Sequence, residues 1–157
     1  MGKANFLKHD FFPAIKSLEI VNRKFSEEKT THEADLWLVR TYIEMEKYND
    51  AERYLEKIKA KEKIPEKIKG DFYLVYADFY MRQKKYAEVI PKLEKAVEII
   101  PNRDGKARYI FILAQLHQKL GEPDKATELY KDVIATNPEY ELAFNAKINL
   151  AISVKSE

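Results

Sequence analysis

The chain contains no cysteine. Disulfides, thiol nucleophiles and cysteine-based zinc sites are therefore excluded, although no compartment follows from that alone. Glycine is scarce, at four residues in 157, and neither a glycine-rich phosphate loop nor a nucleophile elbow occurs. No apolar run approaches the roughly 20 residues that a membrane-spanning helix needs. His9, His32 and His117 are far apart and none has a second histidine four residues away, so no metal site is expected. Charge of one sign is also lacking, because 28 basic residues face 26 acidic ones for a formal charge of +2. These absences point to a non-catalytic chain with no cofactor and no metal. What is present, 34% charged and 12% aromatic residues, is the balance of a charged helical protein that can bury one respectable core.

The most informative stretch runs from Ala107 to Pro138. Ile110, Leu113, Ala114 and His117 form one stripe at i, i+3, i+4, i+7, and Ala126, Tyr130 and Val133 form another. Neither helix can bury its stripe alone, so the two must pack on each other. Gly121 suits the irregular end of the first helix, and Pro123 fits the first turn of the second, where a missing N–H costs nothing. The same pattern recurs upstream at Tyr73, Tyr76, Ala77 and Tyr80 with Val89, Leu93 and Ala96, and at Leu38, Val39 and Tyr42 with Ala51, Leu55 and Ile58. Phe11, Ala14, Leu18 and Val21 read as a second helix standing half a unit earlier. The small anchors Ala14, Ala51, Val89 and Ala126 are spaced 37, 38 and 37 residues apart. A fixed period of that size marks a helical solenoid.

In order and spacing, Ile110, Leu113, Ala114, His117, Ala126, Tyr130 and Pro138 resemble the tetratricopeptide repeat signature, as do Tyr73, Tyr76, Ala77, Tyr80, Val89, Leu93 and Pro101. The resemblance implies an all-α fold, a right-handed α-solenoid of stacked antiparallel helix pairs. One array would span 1–157, with a partial repeat at 1–26, repeats at 32–65, 70–101 and 107–138, and a capping helix or the start of a next repeat at 139–154. Residues 1–9 are too few for a full first helix, so a longer parent array is expected. In the unit near His32, Asp35 takes a slot where a large apolar residue is expected, and a local shift of the helix would let Trp37 fill that space. Ser26–Thr31 reads as a polar connection with Thr30 and Glu33 as a candidate capping box. Lys61–Lys69 reads as the loosest junction, and Lys155–Glu157 as a fraying end. Asn145 and Asn149 are expected on the outward face of the last helix.

In tetratricopeptide arrays one phase of each first helix lines a concave groove where peptides or helices lie. Here that phase carries Leu36, Arg40, Ile43, Leu74, Asp78, Met81, Arg82, Phe111, Gln115, Gln118 and Lys119. The resemblance thus implies a protein or peptide partner, with Leu74, Met81 and Phe111 as anchors and Arg40, Arg82 and Lys119 selecting acidic features. A blander reading packs Leu74, Met81 and Phe111 between adjacent first helices. The Lys and Asn clamp with which one branch of the family grips a C-terminal carboxylate is broken by Leu36, Arg40, Leu74, Asp78, Phe111 and Gln115. Single-stranded nucleic acid is the alternative partner, since ten tyrosines and eight phenylalanines could stack bases. Most of those tyrosines fall in repeat-core slots, and a phosphate-tracking surface is far more basic than +2. Arg108–Leu116 and Asn137–Asn149 also resemble the repeat region of the lipoprotein of the Bacteroidetes gliding-motility and type IX secretion apparatus. That narrower resemblance implies a periplasmic scaffold, anchored through its parent, for other secretion components. Without it, the lack of an apolar signal-like core after Met1-Gly2-Lys3 points to the cytoplasm or to an internal fragment.

Overall fold

Apolar stripes at helical spacing fold as helices wherever a partner stripe is available to cover them. A computed structural model of the chain describes residues 1–25, 29–60, 64–101 and 105–154, without the side chains of residues 29 and 30. Among the described residues the elements are α1 (Gly2–Leu7), α2 (Phe11–Lys24), α3 (Lys29–Glu44), α4 (Tyr48–Lys59), α5 (Glu66–Arg82), α6 (Tyr86–Ile99), α7 (Lys106–Lys119), α8 (Pro123–Ala135) and α9 (Tyr140–Val154), with no strand. They form two compact units, Met1–Gln83 and Lys84–Glu157.

In the first unit α3 is central, touching α1, α2, α4 and α5. Its core includes Leu38, Val39, Leu55, Ile58, Phe72 and Phe79. In the second unit α7 pairs with α8, α6 lies on α7, and α9 lies on α8 with a smaller contact to α7. Ala114, Ala126, Tyr130, Val133 and Ala146 form the core there. The four anchors expected from the period, Ala14, Ala51, Val89 and Ala126, are all fully buried. α6 runs through Pro91, which the sequence pattern passes over. The proline is exposed on the helix surface, where the lost backbone bond is least costly.

The turns repeat as faithfully as the helices. His9, Glu46, Lys84 and Gly121 have φ of 57°, 57°, 59° and 78°, and each stands five residues before an anchor. Three of these turns close with one pattern of backbone bonds. The Asp10, Lys47 and Glu122 amides donate to the Asn5, Tyr42 and His117 carbonyls at 2.9, 2.8 and 2.9 Å, and the His9, Glu46 and Gly121 amides donate to Phe6, Ile43 and Gln118 at 2.9, 2.9 and 3.2 Å. This is the Schellman motif, which satisfies the last carbonyls of the first helix through one left-handed residue. Only Gly121 adopts that conformation without a Cβ penalty.

Two sequence expectations are corrected. Lys67–Lys69 is not a loose junction, because α5 begins at Glu66 with Pro65 as its N-cap; 61–63 lie outside the described residues. Trp37 does not fill the Asp35 slot. Asp35 keeps it, 0% exposed, with Oδ1 accepting from Asn22 Nδ2 at 2.7 Å and from Lys57 Nζ at 3.0 Å. A charged residue can replace an apolar one here because α2 and α4 each send it a donor. Trp37 instead turns toward α1, where the Phe6 ring lies 5.1 Å away and edge-on. The Thr30 side chain, residues 26–28 and residues 155–157 lie outside the described residues, and with them the capping box, most of the polar connection and the fraying end. Thr31, at the edge of that connection, donates its hydroxyl to the Phe25 carbonyl.

Gly121→Ala should lower stability by about 1 kcal/mol, since nothing lies within 4 Å of the added Cβ and the cost is conformational. Glu46→Gly should raise it by a few tenths to about 1 kcal/mol; urea melts of both variants check the pair, and equal signs would contradict the strain argument. Lys57→Met, which removes one of the donors to a buried carboxylate, should cost about 1–3 kcal/mol. The double variant Asp35→Leu/Lys57→Met should recover most of that loss in the same melts.

Candidate functional site

The nominated residues fall in two groups, one in each unit. In the first unit α3 and α5 lie side by side, and their polar side chains pair across the contact. Lys67 reaches Glu33 at 2.9 Å, Arg40 reaches Asp71 at 4.0 Å, and Arg82 reaches Glu44 at 2.7 Å. Arg82 also reaches Asp78, one turn earlier on its own helix, at 3.5 Å. Burial raises the Asp78 carboxyl above the usual carboxylate range, and the Arg82 guanidinium offsets part of that rise. Exposed pairs of this kind contribute only about 0.2–1 kcal/mol each, so the ladder orients side chains more than it holds the helices together. Arg40 also lies over the Trp37 ring, 4.7 Å from its centroid, while Lys3 Nζ lies 5.1 Å from it. Leu74 and Met81 are half-buried beside the ladder.

Leu36 and Ile43 do not belong to this face. Both are buried, 3% and 1% exposed, in the core they share with Phe72, Val75 and Phe79. The physical reason is that α3 is covered from several sides at once, so a phase that would be free on a helix with fewer neighbours is filled here.

In the second unit Phe111, Gln115, Gln118 and Lys119 line one side of α7. Gln115 and Lys119 are exposed, and Lys119 Nζ sits 4.7 Å from the centroid of the Tyr86 ring. Phe111 is half-buried, its ring 5.6 Å from that of Tyr130. Gln118 accepts a hydrogen bond from the Tyr130 hydroxyl at 2.8 Å, and burial of that phenol raises its pKa to about 12. Phe111 and Gln118 are thus partly committed to the packing of α8, and Gln115 and Lys119 are the open members of the set. His117 is buried, its Nδ1 2.6 Å from Glu122 Oε2 at the start of α8. That hydrogen bond, with one from Lys125, holds the Glu122 carboxyl below its ordinary range. His117 therefore braces the α7–α8 turn from the aromatic slot of the repeat.

Two features escaped the sequence pattern. The Trp37 platform joins residues from α1 and α3, and no periodicity links Lys3 to Arg40. On α9, Asn145 and Asn149 are half-buried, with Asn149 Nδ2 donating to the Asn145 carbonyl at 2.8 Å. The outward side carries Tyr140, Phe144, Ile148 and Ile152 instead, a stripe that its i+4 spacing would have disclosed. Among the described residues no group of three or more His, Cys, Asp or Glu side chains is placed to hold a metal ion. No helix among them is long and apolar enough to cross a membrane.

Residues 72–139 match the family model for the tetratricopeptide repeat. No curated protein matches the sequence significantly. Among solved structures, the chain is similar to the MamA protein at 23% identity, covering 98% of this chain and 82% of that one with a TM-score of 0.68. It is also similar to the nearly identical TPR-like repeats of a Podosopora anserina kinesin light chain, at 20% identity, 98% and 82% coverage and a TM-score of 0.75. A third likeness is to MamA 41-end from Desulfovibrio magneticus RS-1, at 18% identity, 87% and 72% coverage and a TM-score of 0.67. At such identities the likeness speaks for the fold, and function has to be argued from the faces themselves. Period, helix pairing and turn geometry agree with these comparisons: the chain is a helical protein of the tetratricopeptide-repeat fold, with repeats of that kind matched over residues 72–139.

Proposed function

We propose that this chain is a non-catalytic scaffold that binds a protein partner, a peptide or a helix, on the first-helix faces of its units. The observation that carries the reading is the makeup of those faces. Half-buried apolar side chains, Leu74 and Met81 on α5 and Phe111 on α7, stand beside exposed groups of both signs and uncharged amides. That is the plan of a protein interface, with apolar anchors that bury area and a polar rim that selects. The Arg82–Glu44 and Arg40–Asp71 pairs limit how strongly the first unit can attract an acidic partner, because those arginines already have carboxylate neighbours. Lys119 has an aromatic neighbour rather than a carboxylate, so the α7 face is the better candidate for an acidic feature. A stacking surface for single-stranded nucleic acid finds less support, since Tyr42, Tyr76 and Tyr130 are buried.

The narrower setting, a periplasmic scaffold for gliding and type IX secretion components, rests on the Arg108–Leu116 and Asn137–Asn149 runs. The same experiment tests it. A photo-crosslinking amino acid at the exposed position 115 on α7, with position 128 on the outer face of α8 as control, is exposed to extract of the source organism. The expected outcome is a protein captured at 115 and absent at 128, with the yield falling several-fold in Lys119→Glu and in high salt. Capture of a secretion component supports the narrower setting. Capture of nucleic acid favours the alternative, and equal labelling at both positions overturns the scaffold reading for this face.

A further inference from the structure

The four turns that join a first helix to its second share two positions, five and four residues before the anchor. His9-Asp10, Glu46-Lys47, Lys84-Lys85 and Gly121-Glu122 fill them. Three of these pairs contain a carboxylate and Lys84-Lys85 does not. Both lysines are exposed, and neither has a carboxylate partner among the described residues. Lys85 leads directly into Tyr86, the first residue of α6, whose ring lies 4.7 Å from Lys119 Nζ. Three lysines therefore gather around one tyrosine, where α6 begins beside the end of α7. Glu122 does not cancel them, because His117 and Lys125 already hold its carboxylate. Asp124 belongs to the outer row of α8 with Glu128. That leaves Glu88, in the first turn of α6, against three cations.

Lys119 also closes a row on α7 that starts at Phe111 and passes through Gln115 at i+4 spacing. Phe111 and Lys119 are thus about 12 Å apart along the helix. One end of the row offers a half-buried ring, the other an excess of positive charge, and the exposed Gln115 amide lies between them. An extended chain covers 12 Å in about four residues. The surface therefore fits a segment in which an apolar side chain stands about four residues from two or three carboxylates, with Gln115 placed to bond the backbone between. Charge complementarity names the partner's sign and the Phe111 ring its second requirement. A nucleic-acid strand fits less well, because three cations meet few phosphates. Base stacking is disfavoured too, since Phe111 is tilted against Tyr130 and Tyr86 has Lys119 beside it.

Resting on the scaffold reading of the α7 face, we propose that its partner presents an extended acidic segment, with carboxylates at Lys84, Lys85 and Lys119 and an apolar side chain on Phe111. A random dodecapeptide library displayed on phage and selected on the full 157-residue chain tests it. Enriched peptides should carry two or more carboxylates about four residues from an apolar residue. The double variant Lys84→Glu/Lys85→Glu should lose that bias and bind a selected peptide about tenfold more weakly or worse in fluorescence anisotropy, with circular dichroism unchanged. Lys84→Gly separates binding from folding. It relieves a left-handed residue at φ 59°, so the chain should resist urea better, yet the selected peptide should bind about two- to five-fold more weakly. Enriched peptides with no acidic bias, or a bias that persists in the double variant, overturn the proposal and leave the scaffold reading standing. No enrichment at all overturns both for this face. Displacement of the selected peptides by single-stranded oligothymidylate at lower concentration than the free peptide itself would assign the lysines to phosphate instead.

Discussion

In the α1–α2, α3–α4 and α7–α8 hairpins the second helix meets its first through a fully buried short residue, Ala14, Ala51 or Ala126, and the closeness of that approach governs what the neighbouring positions can hold. Interaxial distance is set by the side chains at the contact. A short residue there lets the larger ones at i+4, Leu18, Leu55 and Tyr130, reach past the partner helix into the core, where all three are buried. The left-handed residue five positions earlier fixes where the second helix starts and so puts the anchor opposite the first helix. Packing and turn geometry are one constraint expressed twice. The spacing of 37, 38 and 37 residues is accordingly seen both in the anchors and in His9, Glu46, Lys84 and Gly121.

That redundancy explains why the fold was legible in the sequence. Periodicity reports which residues one helix hides from water, and a repeat states the same fact several times over. The first-helix faces were less legible, because exposure there depends on how many neighbours a helix has. Leu36 and Ile43 share a phase with Leu74 and Met81, yet α3 is enclosed where α5 is partly open, so the first two are core. Asp35 looked like a break in the pattern because the donors that satisfy it, Asn22 and Lys57, lie 13 and 22 residues away. No local reading of the sequence brings those three side chains together. The α9 stripe was legible and was passed over in favour of two asparagines that turn out to be half-buried.

The two faces differ in what they offer a partner. On α3 and α5 the charges are matched across the helix contact, which suits a surface kept from sticking to charged macromolecules in general. On α7 the charge and the amides are less committed, and the aromatic floor is tied to the hairpin through Tyr130. His117 and Glu122 brace that hairpin at its turn, so the α7 face is presented on the best-supported element of its unit. Rigid support of this kind reduces the ordering cost of binding.

Within each unit, the helices in contact lie one or two places apart along the chain. Contacts so local require little loop closure before they are rewarded, which favours rapid folding. They also let structure accumulate in the order in which the chain is synthesised. Once α1 to α5 have left the ribosome, the first unit has all of its own partners and can close around α3 while α6 to α9 are still being made. The nascent chain would therefore expose its apolar stripes one hairpin at a time.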